Sequence, residues 1–488
     1  MADKLLIALV ALPLLGALWA ALQPRRGALV GTLVSLALAV VALQATVLVA
    51  GDGTIRHVIG GWQSGLGIAL RMDALAAPFI VLNAVVALAG SVYASRYFPA
   101  HRATYFWPQW LMLLTALNAL VLADDLFNIY VALELLGLSA VGLAAMGHGS
   151  RALSAALRYL AVGLVASMLY LAGVALMYFS HGTLDIPSLS ALVAADAGTG
   201  NEQAQASGQG LALALISAGL MMKAALFPLH FWLPPAHGSA PAPVSAVLSA
   251  LVVKAAWYLM LRLWLELFEP VIGENAARWL AVLAAAGVLW GSWQALRAPR
   301  LKLVAAYSSI AQLGYLFLAI PLLLALPAGG ERQALLAAVV VFAQGHGLAK
   351  AALFLAAGVI QQRAGHDDIA RLGGTVQCLP ATAFTLGLAG AALIGLPPSG
   401  AFLGKWFLLD SAIGSGQGWI ALVILAGSLL AGAYVFRFIS HAFGHKASPG
   451  KAITLAREEW PALLLALGAT VLLGLGAAPV WTLLETPS

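Results

Sequence analysis

Long apolar runs broken by brief polar punctuation fill the chain from end to end. A helix needs about 20 such residues to cross ~30 Å of hydrocarbon. By that measure about fourteen spans are expected, at residues 4–22, 28–50, 73–94, 107–123, 126–146, 153–179, 209–233, 241–266, 277–296, 301–325, 334–361, 379–413, 419–443 and 460–484. Only Asp124 and Asp125 separate the fourth from the fifth, which demands a tight turn. The pattern predicts an all-α polytopic membrane protein, since a lone helix satisfies its backbone without water.

Two runs carry interruptions. Pro228 inside the seventh, and again Pro234 and Pro235 directly after it, remove backbone donors. Gly395-Leu-Pro-Pro-Ser-Gly400 does the same inside the twelfth. Discontinuous helices at matching places in two halves point to a transport site. If spans four to eight and nine to thirteen are paired halves, the breaks fall in their fourth members. Lys-Ala-Ala-Leu-Phe occurs at both 223–227 and 350–354, but it pairs the wrong spans and reads as chance in an Ala/Leu-rich chain.

Composition removes the soluble alternative. Of 488 residues, 62% are hydrophobic and 9% charged, with mean hydropathy +0.94, against roughly 45–50% and about 25% in globular chains. Fifty glycines and fourteen tryptophans suit close helix packing and interfacial anchoring. The single cysteine, Cys378, excludes a disulfide framework or a thiolate metal site from this chain alone.

The net charge of +6 is an orientation signal, not a nucleic-acid patch. Connections after odd-numbered spans hold Arg25, Arg26, Arg96, Arg102, Arg151, Arg297, Arg300, Arg363, Arg371, Lys446, Lys451 and Arg457. Those after even-numbered spans hold few bases, such as Arg56 and Arg332, and more acids: Asp185, Asp196, Glu202, Glu269 and Glu274. Both termini are therefore expected to be periplasmic in a bacterial inner membrane. Lys4 and the apolar run to Leu22 look like a leader, but no small-residue cleavage pattern precedes a soluble region. The run is expected to be retained as the first span.

Few charges remain at membrane depth: Glu134, Lys223, Lys254, Lys350 and Lys405. Each costs ~2.5–3.5 kcal/mol at a helix centre. One acid cannot neutralise four bases, so the surplus lysines must be hydrated or partly deprotonated. His346 lies four residues before Lys350, on the same helical face. His230 shares a face with Lys223 if the helix continues past Pro228, and His237 follows in a re-entrant stretch. Lys302, near the start of its span, suits a relay or snorkelling. Asp73, Asp124, Asp125 and Asp368 border spans and read as solvated loop acids, and Ser167 and Tyr130 as packing residues.

There is no phosphate loop, no dinucleotide fingerprint and no cysteine cluster. No facing histidine pair for haem stands out. The expectation is no catalytic site, no cofactor and no metal, with energy from an ion gradient or a partner subunit.

These residues carry a resemblance. Asp124-Asp-Leu-Phe-Asn-Ile-Tyr-Val-Ala-Leu-Glu134 resembles the fifth-helix motif of the antiporter-like subunits shared by respiratory complex I and Mrp-type cation/proton antiporters. Lys223-Ala-Ala-Leu-Phe-Pro-Leu-His-Phe-Trp-Leu-Pro234 resembles their broken seventh helix. Ala306-Tyr-Ser-Ser-Ile-Ala-Gln-Leu-Gly-Tyr315, His346-Gly-Leu-Ala-Lys-Ala-Ala-Leu-Phe354 and Gly395-Leu-Pro-Pro-Ser-Gly-Ala-Phe-Leu-Gly-Lys405 match in order, so the likeness covers nearly the whole chain.

The resemblance implies fourteen helices in four parts: helices 1–3 (1–106), two inverted five-helix repeats (107–270 and 271–450) and helix 14 (451–488). It makes Glu134 and Lys223 a charge pair, Lys254 a central relay and Lys405 the terminal charge, with His346 and Lys350 between and His230, His237 and Lys302 accessory. Length, Lys405 and Gly60-Gly-Trp-Gln before span three look most like the D-type member of the Mrp set. Two features depart: Leu303 follows Lys302 where many relatives have Lys-Arg, and one histidine precedes Lys350 where D-type relatives often have two. The implied function is proton translocation in a multisubunit Na+/H+ antiporter, with other membrane subunits, protons, Na+ and the bilayer as partners. Two alternatives are a proton-pumping subunit of complex I or a membrane hydrogenase, and a membrane partner for inorganic-carbon uptake.

Overall fold

The computed structural model describes residues 2–61, 68–198, 208–444 and 458–485. Trp62, Gln63, Glu202, Lys446, Lys451 and Arg457, used above for family likeness and orientation, lie outside the described residues.

The chain is almost wholly helical. The first helices are α1 (Ala2–Leu22), α2 (Gly27–Asp52), α3 (Ala76–Tyr97), α4 (Ala100–Leu122), α5 (Leu126–Ala145) and α6 (Gly149–His181). A short α7 (Ile186–Gly198) precedes α8 (Gln209–Lys223), α9 (Leu233–Ser239) and α10 (Ala242–Glu266). There follow α11 (Glu274–Arg297), α12 (Leu301–Ala325), α13 (Gly330–Ala364), α14 (Pro380–Ile394), α15 (Gly400–Gly414) and α16 (Gly418–Phe443). The last are α17 (Trp460–Leu475) and α18 (Ala478–Glu485). Among the described residues eleven helices are long and apolar enough to cross a membrane, or up to twelve if α17 and α18, bent by 63°, form one span. The chain is a multi-pass membrane protein.

Both expected breaks are present. The seventh run stops being helical at Lys223 and resumes at Leu233, and the twelfth is divided into α14 and α15 at Gly395–Ser399. One detail differs from expectation. Pro234 and Pro235 begin α9 instead of breaking a helix, because a first-turn N–H has no intrahelical partner to lose. Phe227–Pro228 and Pro397–Pro398 are cis.

α10 and α13 are wrapped in protein along their membrane-length segments, whereas α1, α2 and α6 turn about two thirds of theirs outward. Small residues allow the inner helices to approach closely. A Cβ on Gly314 of α12 would stand 2.6 Å from the Ala284 carbonyl of α11, and one on Gly291 of α11 2.6 Å from the Ala311 amide of α12.

One element was not foreseen. Ile55–Val58 and Ala69–Met72 pair as an antiparallel hairpin before α3, with Arg56 directly opposite Arg71. Like charges facing across strands repel, so this register needs acids nearby.

Candidate functional site

The first break exposes the end of α8, and with it a lysine. Ala225 adopts φ +55, a left-handed conformation that turns the chain out of the helix. The Trp232 indole N–H donates to the Met222 carbonyl freed there (3.1 Å), and Trp232 stacks on Tyr159 at 4.4 Å. The Lys223 ammonium lies 3.7 Å from the Glu134 carboxylate of α5 and 3.4 Å from the Leu133 carbonyl. A cavity of about 30 Å³ between α5, α6, α8 and α10 touches both charges, room for roughly one water.

A π turn at Leu248–Val252 interrupts α10. Such turns widen the helix and free carbonyls. Lys254 uses one, donating to the Ser249 carbonyl at 2.9 Å, and the Ser249 and Ser309 hydroxyls are 2.7 Å apart. Next to Ser309 on α12, Ser308 accepts a hydrogen bond from Lys350 of α13, which also donates to the Ala305 carbonyl at 2.9 Å. Two adjacent serines of α12 thus stand between two buried lysines. Lys223 and Lys254 share no hydrogen bond, and the cavity meets α10 at Val252 and Ala256, on the far side from Lys254.

His346 is buried within electrostatic reach of Lys254, Lys350 and Lys405. His237 occupies a similar place toward Lys302, Lys350 and Lys254, its ring 5.2 Å from that of Phe354. Among the described residues neither ring nitrogen of either histidine has a hydrogen-bond partner. His230 stands apart. The helix ends at Lys223, so the shared face on which it was selected does not exist; its half-buried ring stacks on Phe227 at 5.4 Å.

Lys302, at the start of α12, donates to the Ala240 carbonyl. Asp367 accepts from the Lys302 backbone N–H at 3.2 Å and pairs with Arg300 at 2.8 Å. Asp367, missed in the sequence, is the buried acid there; its neighbour Asp368 is partly exposed beside Arg371.

At the second break α14 ends on Gly395 (φ +85). Lys405 of α15 reaches back to the carbonyls of Leu393 (3.3 Å) and Ile394 (2.9 Å), and lies 4.5 Å over the Tyr315 ring. A helix C-terminus offers unpaired carbonyls and the negative end of its dipole, a natural seat for an ammonium. Among the described residues no carboxylate lies within ion-pair distance of Lys254, Lys350 or Lys405.

A second charged cluster, unforeseen from the sequence, closes one end of the bundle. Asp124, fully buried, accepts from Arg56 (2.8 Å) and pairs with Arg71 (3.0 Å). Arg56 also bonds Asp185, Arg71 bonds Glu266, and buried Arg262 of α10 bonds Asp73 and Tyr258. The acids required by the facing arginines are therefore supplied by three loops and a helix end. Two of the acids expected to be solvated, Asp73 and Asp124, are buried here because each is ringed by guanidinium groups. Asp125 caps α5, accepting from the Phe127 and Asn128 amides. Burial alone would raise the Asp73 carboxyl, but Arg262 and Arg71 hold it below the usual carboxylate range.

Residues 123–431 match the family model described as NADH:quinone oxidoreductase/Mrp antiporter, transmembrane. The chain is 36% identical to the N subunit of an NADH-quinone oxidoreductase from Desulforudis audaxviator, over 91% of this chain and 87% of the relative. It is 28% identical to the D subunit of a Na+/H+ antiporter from Alkalihalophilus pseudofirmus, covering 87% and 83%. Its fold superposes on a chain of the Mrp complex from a Dietzia species with TM-score 0.87 (25% identity; 99% and 96% covered). A chain of an archaeal respiratory membrane complex, the membrane-bound sulfane sulfur reductase, gives 0.89 (30% identity; 98% and 96% covered).

Proposed function

The chain belongs to the NADH:quinone oxidoreductase/Mrp antiporter family of membrane proteins, and from that premise we propose that it is a proton-translocating subunit of a multisubunit cation/proton antiporter, with Na+ as the exchanged ion. The observation that carries the reading is the line of buried bases between the two helix breaks, held by carbonyls and hydroxyls where carboxylates would have locked them.

In this reading Glu134 holds the Lys223 ammonium charged. Drawing the pair apart removes that hold and drives a proton toward Lys254 through water. The paired hydroxyls of Ser249 and Ser309, and the adjacent Ser308 that Lys350 bonds, line the interval between Lys254 and Lys350, with water bridging the gaps, and His346 relays onward to Lys405. Lys302 and His237 supply a side branch from one end of the bundle. Sites so close titrate as one coupled chain, and no single lysine owns a transition.

The architecture proposed with this function counts each broken run as a span, giving fourteen. Helices 1–3 take residues 1–106, two inverted five-helix repeats take 107–270 and 271–450, and a last helix takes 451–488. The protein sits in a bacterial inner membrane beside other membrane subunits, with both termini periplasmic. The matched positions of the two breaks and the loop bias of Lys and Arg support this arrangement.

The test uses everted vesicles holding the chain with its co-expressed subunits, energised to build a proton gradient. Addition of Na+ dissipates the gradient in the wild type. Lys223→Ala and Lys405→Ala are each expected to abolish this while assembly persists; wild-type exchange in both ends the proposal. A second reading, a proton-pumping subunit of a redox-driven complex, draws support from the likeness to the NADH-quinone oxidoreductase relative and to the archaeal respiratory complex. It predicts proton uptake that needs an electron donor and ignores Na+.

A further inference from the structure

At the end of the bundle opposite the Asp124 cluster lies a cleft of about 820 Å³. Its charged lining is entirely basic: Arg102, Arg151, Arg158, Arg300 and Lys302. Arg300 is answered by Asp367, and Lys302 by the Ala240 carbonyl. Arg102 leans on His148, its guanidinium nitrogens 3.1 and 3.3 Å from the ring, and Arg102, Arg151 and Arg158 have no carboxylate within ion-pair distance among the described residues. Three uncompensated guanidinium groups around one cleft repel each other and repel a cation approaching Lys302. An anion would reverse both effects.

We propose that this cleft binds the phosphate of an acidic phospholipid headgroup. Guanidinium groups pair with phosphate oxygens in forked geometry, so phosphate is the matching chemistry. Position within the membrane selects the lipid source over a dissolved one. Arg158 follows Arg151 by seven residues on α6, about 10 Å deeper along the helix axis and nearly on the same face. An arginine at that depth extends toward the headgroup level. Leu153, Leu157 and Leu164 of the same helix are exposed as acyl-chain contacts. Tyr97, at the end of α3, gives the rim an amphipathic ring of the kind that settles at the interface. The cleft is thus wet at one end and bordered by hydrocarbon at the other.

The experiment titrates the full-length chain, with the subunits that co-purify, in neutral detergent. The probes are phosphatidylglycerol, phosphatidylcholine and inorganic phosphate, read by native mass spectrometry and by thermal unfolding. Phosphatidylglycerol is expected to bind at one site, and phosphatidylcholine at least about tenfold more weakly, since it lacks a net charge to oppose the arginines. Arg151→Gln combined with Arg158→Gln weakens phosphatidylglycerol about tenfold or more, and the paired Lys substitutions restore most of the binding. Should the glutamine pair not fold, Ser154→Glu, which puts a carboxylate between the two arginines, abolishes the adduct. Equal binding of both lipids, or undiminished binding by the glutamine pair or by Ser154→Glu, overturns the proposal. Displacement of phosphatidylglycerol by inorganic phosphate at matched concentration overturns the lipid assignment, as does a cleft that co-purified subunits close to lipid. The readout contains no transport step, so its failure leaves the relay untouched.

Discussion

Glu134→Gln isolates the charge that starts the proposed relay, because glutamine keeps the side chain's shape while removing its charge. At 3.7 Å, two unit charges interact by about 4 kcal/mol at an effective dielectric near 20. The pair borders the cavity with room for roughly one water, and that partial hydration reduces the figure to about 2 kcal/mol. At about 1.4 kcal/mol per factor of ten, that is roughly 30-fold in the driving difference between the paired and separated states. The substitution leaves the Lys223 bond to the Leu133 carbonyl and the adjoining cavity in place, so packing loss is small. The assay is the initial rate of gradient dissipation on adding Na+ to everted vesicles, normalised to assembled complex. Exchange is expected to fall about 30-fold. Glu134→Asp, which retains the charge one methylene further away, loses only a few-fold. Should Glu134→Gln exchange within about twofold of wild type in assembled complexes, a pair worth this much cannot be the trigger.

Two further predictions concern the serine bridge and the charged cluster. Ser309→Ala removes the hydroxyl 2.7 Å from Ser249, and with a hydrogen bond worth ~1 kcal/mol the exchange rate is expected to drop about fivefold in the vesicle assay. Ser309→Thr restores it, and an unchanged Ala variant removes these hydroxyls from the route. Asp73→Asn takes from buried Arg262 the nearer of its two acids and leaves Glu266 at 3.4 Å, a loss of about 3 kcal/mol in stability at neutral pH, the low end for a broken buried pair. The Asp73 carboxyl is held below its ordinary value, so its contribution is complete above pH ~4 and disappears as pH falls through the lower folded value. The gap in unfolding temperature between wild type and variant in detergent should therefore close in acid; a gap constant down to pH ~3 refutes the assignment.

What could be read from the sequence was what costs most in a bilayer. Glu134, Lys223, Lys254, Lys350 and Lys405 are conspicuous because a charge at that depth needs a reason, and Pro228 and Gly395 because each marks a backbone that cannot continue as a helix. What depends on distant segments meeting was not legible. No local pattern says that Arg56 and Arg71 face each other across four-residue strands, or that Asp124 and Asp185 come to meet them. The π turn at Leu248–Val252 has no breaker residue to announce it. The histidines show the same division: the helical register that would join His230 to Lys223 ends at Lys223, whereas His237 lies within electrostatic reach of three lysines because α9 packs against α12 and sets the His237 ring against Phe354 of α13. The lysines then supply a connection that neither signal gave alone. Lys405 rests on carbonyls released where α14 ends, and Lys254 on one released by the π turn. A helix interruption removes backbone bonds, and an ammonium in hydrocarbon needs acceptors, so each defect answers the other. The breaks are therefore part of the proposed conducting line, and a change that straightened either helix should disable its lysine as surely as removing the charge.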